Sequence, residues 1–210
     1  LTSVFVVYRQ LFWDIFCKFI EGWRTKTINP SIRVCLLVVA GSVPTGIIGL
    51  SFKSQFERMF SSLPAVGVFL LCTATLLYLT RRRQYRVQAQ SLTNIEEISE
   101  MKWSQALWIG FFQGLAIAPG ISRAGSTIAS GILFGLKGNV AASYSFMLAV
   151  PAILGAAVLE LPHLNEAPVE TLTPLILGFA VSALVGIIGL RLVLRFVSRG
   201  RLDIFSYYLL

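Results

Sequence analysis

Residues 118–127, Ala-Pro-Gly-Ile-Ser-Arg-Ala-Gly-Ser-Thr, hold the densest chemistry in the chain. Pro119 removes a backbone donor and disfavours helix at Ala118, while Gly120 permits a sharp reversal. Ser122 then reads as the N-cap of a helix running through Leu136, whose first N–H groups point into the turn. Arg123 adds a permanent positive charge, and the hydroxyls of Ser122, Ser126 and Thr127 lie within one helical turn of it. Free N–H groups, a helix N-terminus, a guanidinium and three hydroxyls are the ingredients of a phosphate-binding site.

The elements on either side must bring this stretch to its working depth. It lies between two apolar runs, 104–118 and 128–136, each shorter than the roughly 20 residues that a helix needs to cross a bilayer. Two such half-length runs predict a re-entrant hairpin over 104–136 that enters and leaves on one side. An arginine at membrane depth costs roughly 2.5–3.5 kcal/mol on insertion scales, so something is expected to compensate for Arg123.

The whole chain fits that setting. Of its 210 residues 55% are hydrophobic and only 13% charged, and the mean hydropathy of +0.73 belongs to a polytopic membrane protein rather than a soluble domain. The expected fold class is all-α, a bundle of transmembrane helices forming a single integral membrane domain over 1–210. Spans are expected at 34–52, 63–80, 140–161 and 173–195, with a kink at Pro44 in the first and Pro151 carried inside the third. Residues 9–33 interleave basic and aromatic side chains and predict an amphipathic interfacial helix. Residues 53–62 read as a short polar connection. The apolar octet ending at Tyr8 and the run starting at Ile204 are each too short to cross, so the chain reads as a fragment cut at both ends.

The net charge of +8 does not point to nucleic acid, because the basic residues flank apolar runs instead of forming one stripe. Segments 9–33, 81–102, 137–139 and 191–201 hold fifteen of the eighteen Lys and Arg residues. All four fall on the cytoplasmic side if 104–136 is re-entrant, leaving Lys53 and Arg58 outside and Arg123 in the membrane. A single crossing there would instead force the arginine-rich tail outside. Cys17, Cys35 and Cys72 have no metal-ligand spacing and read as buried free thiols.

The stretch Pro119-Gly120-Ile121-Ser122-Arg123-Ala124-Gly125-Ser126-Thr127 resembles the Pro-Gly-x-Ser-Arg-Ser-Gly-x-Thr motif of undecaprenyl-diphosphate phosphatases of the bacitracin-resistance type. Phe111-Phe112-Gln113-Gly114 resembles that family's approach to the loop, and Ser145-Phe146-Met147-Leu148-Ala149-Val150-Pro151 the helix after it, so the likeness covers nearly the whole chain. It implies a multi-pass enzyme of the bacterial inner (plasma) membrane that removes the terminal phosphate from a polyprenyl diphosphate lipid. That reaction recycles the carrier for envelope polysaccharide synthesis. The resemblance makes Arg123 the group that neutralises the diphosphate, Ser122 a nucleophile candidate or phosphate ligand, and Thr127 a further ligand. Gly120, Gly125, Ser126 and Gln113 complete the expected substrate-binding set. A divalent cation, Mg or Ca, is implied as cofactor, with the lipid and the membrane as partners, no nucleic acid, and a homodimer as one assembly.

Two departures stand out. Ala124 replaces the family's second serine, a hydroxyl that Ser126 could supply. The family's glutamate pair at i, i+4 and nearby histidine, from an N-terminal re-entrant loop, have no counterpart here, and the expected place for them is before Leu1. No metal ligands are identifiable in this sequence: Glu96, Glu97 and Glu100 read as a solvated face, and His163 as a solvated loop residue. Plainer roles remain open for several positions. Arg123 could cap carbonyls of a neighbouring helix, Gln113 could join two helices, the hydroxyls could cap or back-bond, and Gly125, Gly131 and Gly135 could serve close packing. A transporter or flippase that binds the same anionic group without cleaving it is the alternative to an enzyme.

Overall fold

The computed structural model describes residues 1–25, 29–84, 94–160 and 172–209. All regular structure among them is helical, as the composition predicts. Four helices are long and apolar enough to cross a membrane: α3 (Pro30–Ser51), α5 (Leu63–Gln84), α9 (Gly138–Glu160) and α10 (Leu172–Ser198). Preceding them are α1 (Thr2–Val7) and α2 (Arg9–Thr25), the latter covering the stretch expected to be amphipathic. Between α3 and α5 lies α4 (Lys53–Phe60), between α5 and α9 lie α6 (Ile95–Ser99), α7 (Trp103–Leu115) and α8 (Arg123–Leu133), and α11 (Ile204–Leu209) comes last.

Local chemistry explains several boundaries. α3 begins four residues before the expected span because Asn29 caps it, its Oδ1 accepting from the Ile32 N–H at 3.1 Å, and Pro30 occupies the first turn where its missing donor costs nothing. Residues 53–60, read as a polar connection, form a short helix with Lys53, Glu57 and Arg58 on an exposed face. α8 stops at Leu133, three residues short of the expected Leu136. There Gly135 adopts φ +94°, the Leu136 N–H donates to Gly131 O at 2.9 Å and the Gly135 N–H to Ile132 O at 3.0 Å. That left-handed termination is the role of Gly135, whose missing Cβ faces open space rather than a packed neighbour. Gly131 does serve close packing: a Cβ there would lie 2.8 Å from that of Ala141 on α9.

α7 and α8 form an antiparallel hairpin. The start of α7 meets the end of α8, where Gln105 Nε2 donates to Phe134 O at 2.9 Å and the Trp108 and Phe134 rings stack at 5.6 Å. With 13 and 11 residues the two arms are about 20 and 16 Å long, short of a hydrocarbon core of about 30 Å. α7 lies against α3 in backbone contact: a Cβ on Gly110 would sit 1.8 Å from Gly41 O. Beside that crossing Thr45 Oγ1 donates to Gly110 O at 2.8 Å, and Tyr144 of α9 donates to Leu37 O at 2.7 Å.

Ion pairs gather the basic segments at one end of the bundle. Lys18 of α2 meets Glu96 at 2.8 Å, Lys137 meets Glu97 at 3.1 Å, and Arg81 approaches Asp203 at 3.9 Å. The Lys18 ammonium, through its hydrogen bond, holds the Glu96 carboxyl below the usual carboxylate range. Gly138, at the start of α9, packs against Val197 near the end of α10. The described residues of segments 9–33, 81–102, 137–139 and 191–201 therefore share one end, and α7 leaves from it and α8 returns to it. The opposite end carries α4 with Lys53 and Arg58.

Candidate functional site: the hairpin tip

The tip of the hairpin, residues 116–122, is built around Gly120. Its φ of +89° belongs to the left-handed region, and a Cβ there would lie 2.6 Å from Val66 O on α5. Conformation and space both require glycine. Val66, Phe69 and Leu70, the tip's neighbours, lie in the half of α5 remote from the basic end, so the tip reaches past the middle of the bundle.

Thr73 of α5 holds the tip in place. Its hydroxyl oxygen accepts from the Ser122 N–H at 3.3 Å, and its single proton is shared between Phe69 O at 3.1 Å and Gly120 O at 3.3 Å. Thr73 is buried. Sequence reasoning passed over it, because a threonine inside an apolar span looks like any residue bonding back to the preceding turn.

Ser122 caps α8 as its sequence context predicts, with φ −72°, ψ 117° and Oγ accepting from the Gly125 N–H at 3.1 Å. The Ser126 N–H already donates to Ser122 O, which leaves the N–H groups of Arg123 and Ala124 as first-turn donors without partners among the described residues. Gly125 protects the cap: a Cβ there would lie 3.0 Å from Ser122 Oγ. The Arg123 side chain is half-buried and forms no ion pair or hydrogen bond with any described residue. A partly desolvated guanidinium, two free N–H groups and the positive end of the α8 dipole thus converge at one tip. This arrangement can bind a phosphate and neutralise charge developing on it.

The remaining candidates are spread along the hairpin. Thr127 is fully buried. Its hydroxyl donates to Arg123 O at 2.8 Å and pairs with Ser145 Oγ, fastening α8 to α9 behind the tip. Ser126 lies one turn below the cap, 2% exposed, and its Oγ has no partner among the described residues. Gln113 sits in the seam of α3, α7 and α9, where Nε2 donates to Leu148 O at 3.3 Å and approaches Thr45 Oγ1 at 3.4 Å. It joins helices, and its Oε1 is likewise buried without a partner among the described residues. The structure therefore brings together Gly120, Ser122, Arg123 and Gly125, and places Thr127 and Gln113 in the helix interfaces that support them.

The described residues do not form a ligand set for a divalent cation. No group of three or more His, Cys, Asp or Glu stands together among them, and Glu96, Glu97 and Asp203 are engaged with lysine or arginine at the basic end. His163, Glu166 and Glu170 lie outside the described residues.

Comparison with known proteins places the chain in a family. The sequence model of the family described as bacitracin resistance protein BacA matches residues 1–210. A protein of Alkaliphilus metalliredigens named undecaprenyl-diphosphatase is 38% identical over 220 residues, covering 99% of this chain and 76% of the relative. One of the same name from Methanosphaera stadtmanae is 38% identical over 94% of this chain and 74% of its own length. A third, from Methanothermobacter thermautotrophicus, is 40% identical over 82% of this chain and 92% of its own length.

Proposed function

The chain belongs to the BacA family of bacitracin resistance proteins, and we propose that it hydrolyses undecaprenyl diphosphate to the monophosphate and inorganic phosphate at the tip of the α7–α8 hairpin. It is a multi-pass inner-membrane hydrolase whose product is the lipid carrier for cell-envelope synthesis. The observation that carries the site assignment is Arg123, unpaired among the described residues, beside the two N–H groups of the capped α8 N-terminus that have no partner among them.

With the basic end in the cytoplasm, the hairpin is re-entrant and its tip opens toward the outer side. The two short arms and their shared end support this arrangement. Phosphoryl transfer demands positioning and charge neutralisation above all. The tip donors hold the terminal phosphate, Arg123 offsets the charge that builds on its oxygens, and the anhydride P–O bond breaks as a water oxygen joins phosphorus. The lipid monophosphate leaves with the electron pair of that bond. Ser122 contributes the cap, and its Oγ accepts from Gly125 N–H with no basic side chain of the described residues bonded to it, so water is the attacking group this geometry favours. Thr127 and Ser145 set the pitch of α8 against α9 and thereby the direction in which Arg123 projects. The family's divalent cation would need carboxylates that the described residues do not place here, and no step is assigned to it.

Phosphate release from undecaprenyl diphosphate in proteoliposomes tests the reading. Free phosphate should appear with the unaltered protein and vanish with Arg123→Ala at equal folded yield. Substrate that crosses intact, with no phosphate released, would overturn it in favour of transport.

A further inference from the structure

α2 presents three faces around its axis. Leu11 and Ile15 are buried against the bundle, while Gln10 and Asp14 form an exposed polar face. Trp13, Phe16 and Ile20, each more than half exposed, follow at i, i+3 and i+7 and make one apolar stripe between those two faces. The Trp13 and Phe16 rings lie 6.2 Å apart along it. Cys17, like Cys72 on α5, is exposed rather than buried, because apolar sequence here faces lipid and not the protein core. Since α2 lies at the basic end of the bundle, the stripe dips into the cytoplasmic leaflet and the polar face looks out of it. The charges at the start of α2 therefore stand at the depth of lipid head groups.

An open groove of about 560 Å³ lies against the helix there, lined by Arg9, Gln10, Trp13 and Asp14. At about 100° per residue, Arg9 and Asp14 stand about 140° apart around the axis, with Trp13 and Gln10 between them. Neither charged side chain forms an ion pair or hydrogen bond with any described residue. The free carboxylate is against the local pattern, because Glu96, Glu97 and Asp203 at the same end each meet a lysine or arginine. Anionic lipid drawn to the basic end accounts for Arg9 but not for Asp14. A ligand that carries both charges accounts for both.

We propose that this groove binds the head group of a zwitterionic, amine-bearing phospholipid of the cytoplasmic leaflet. Arg9 and Gln10 donate to its phosphate oxygens, and Asp14 accepts from its ammonium group beside the Trp13 ring. Guanidinium to phosphate is a charge-assisted contact, and an indole face attracts a cation. The acyl chains then run along the stripe of Phe16 and Ile20. The site depends on the membrane setting of α2 and not on hydrolysis at the hairpin tip.

Native mass spectrometry of the whole chain, released from detergent micelles, provides the test. The probes are phosphatidylethanolamine and phosphatidylglycerol with the same acyl chains, since the second keeps the phosphate and lacks the ammonium. At equal concentrations the ethanolamine lipid should be retained over the glycerol lipid by about fivefold or more. Asp14→Asn should remove most of that preference, and Arg9→Gln should weaken retention of both lipids by about threefold or more. Both residues are exposed and unpartnered among the described residues, so unfolding temperatures should stay within about 2 °C of the unaltered protein. Equal retention of the two lipids by the unaltered protein would overturn the proposal. So would a preference that survives in Asp14→Asn, or retention of both lipids unchanged in Arg9→Gln.

Discussion

The Thr73 hydroxyl accepts a hydrogen bond from the backbone N–H of Ser122 at 3.3 Å, across 49 residues of sequence. Because the same oxygen lies 3.3 Å from Gly120 O, one side chain fixes both ends of the reversal that precedes the α8 cap. Thr73→Val keeps the shape and removes both contacts, freeing the tip backbone at the Ser122 N–H and the Gly120 C=O. The expected result is a loss of phosphate release by about tenfold or more, with recovery to near the original rate in Thr73→Ser. Equal activity in the valine variant would remove Thr73 from the machinery. A serine variant as poor as valine would point to methyl packing rather than hydrogen bonding.

What could be read from residues alone divides along a physical line. The four spans, the Ser122 cap and the clustering of Lys and Arg at one end depend on local composition, and the structure repeats them with boundaries shifted by a few residues. The end of α8 was misplaced because apolar character continues to Leu136, whereas Gly135 turns left-handed at a cost that only glycine avoids. Residues 53–60 looked like a connection because the charges of Lys53, Glu57 and Arg58 mask an eight-residue helix whose Phe56 and Met59 form a narrow apolar face. Thr73 and the Gly41–Gly110 contact were invisible because each is a relation between distant segments. Thr127 and Gln113 stand in the motif and its approach, yet the structure assigns their hydrogen bonds to neighbouring helices, which no spacing reveals.

Arg123 is the sharpest electrostatic test. With no carboxylate beside it among the described residues, its charge is available to an anionic ligand. Arg123→Ala should abolish phosphate release. Arg123→Lys should restore only a small part, because an ammonium cannot offer the planar paired donors of guanidinium to phosphate oxygens. Folded yield by size-exclusion chromatography should match the unaltered protein in both. Full activity in the lysine variant would reduce the role of Arg123 to a point charge.

Ser122 separates capping from catalysis. Aspartate caps helices as well as serine does and favours the positive end of the helix dipole, so Ser122→Asp should leave the melting temperature within about 2 °C. The same carboxylate sits where the terminal phosphate should bind and repels it, so phosphate release should fall at least a hundredfold. Ser122→Ala should instead lower stability by about 1 kcal/mol through the lost bond to the Gly125 N–H. An active aspartate variant would show that the anion binds elsewhere than at the α8 N-terminus.

Gly110 tests whether the hairpin's seating on α3 controls the tip. A Cβ at Gly110 would fall 1.8 Å from Gly41 O, a backbone atom that cannot move without shifting the whole helix. Gly110→Ala must therefore push α7 away from α3, break the 2.8 Å bond from Thr45 to Gly110 O and displace Gln113 one turn further along. Overpacking of this kind costs about 1–3 kcal/mol or more, which outweighs the gain in helix propensity of about 1 kcal/mol that alanine brings. Gly178→Ala on α10 is the matched control, since nothing lies within 4 Å of a Cβ there and only the propensity gain remains. Thermal unfolding in detergent should show Gly110→Ala melting at least about 5 °C lower, and Gly178→Ala at or slightly above the unaltered protein. Because the tip hangs from α7, phosphate release at a temperature where the Gly110 variant is still folded should fall as well. Unfolding temperatures that coincide for the two variants would mean that α3 and α7 are not in backbone contact, and the tip would then need some other support.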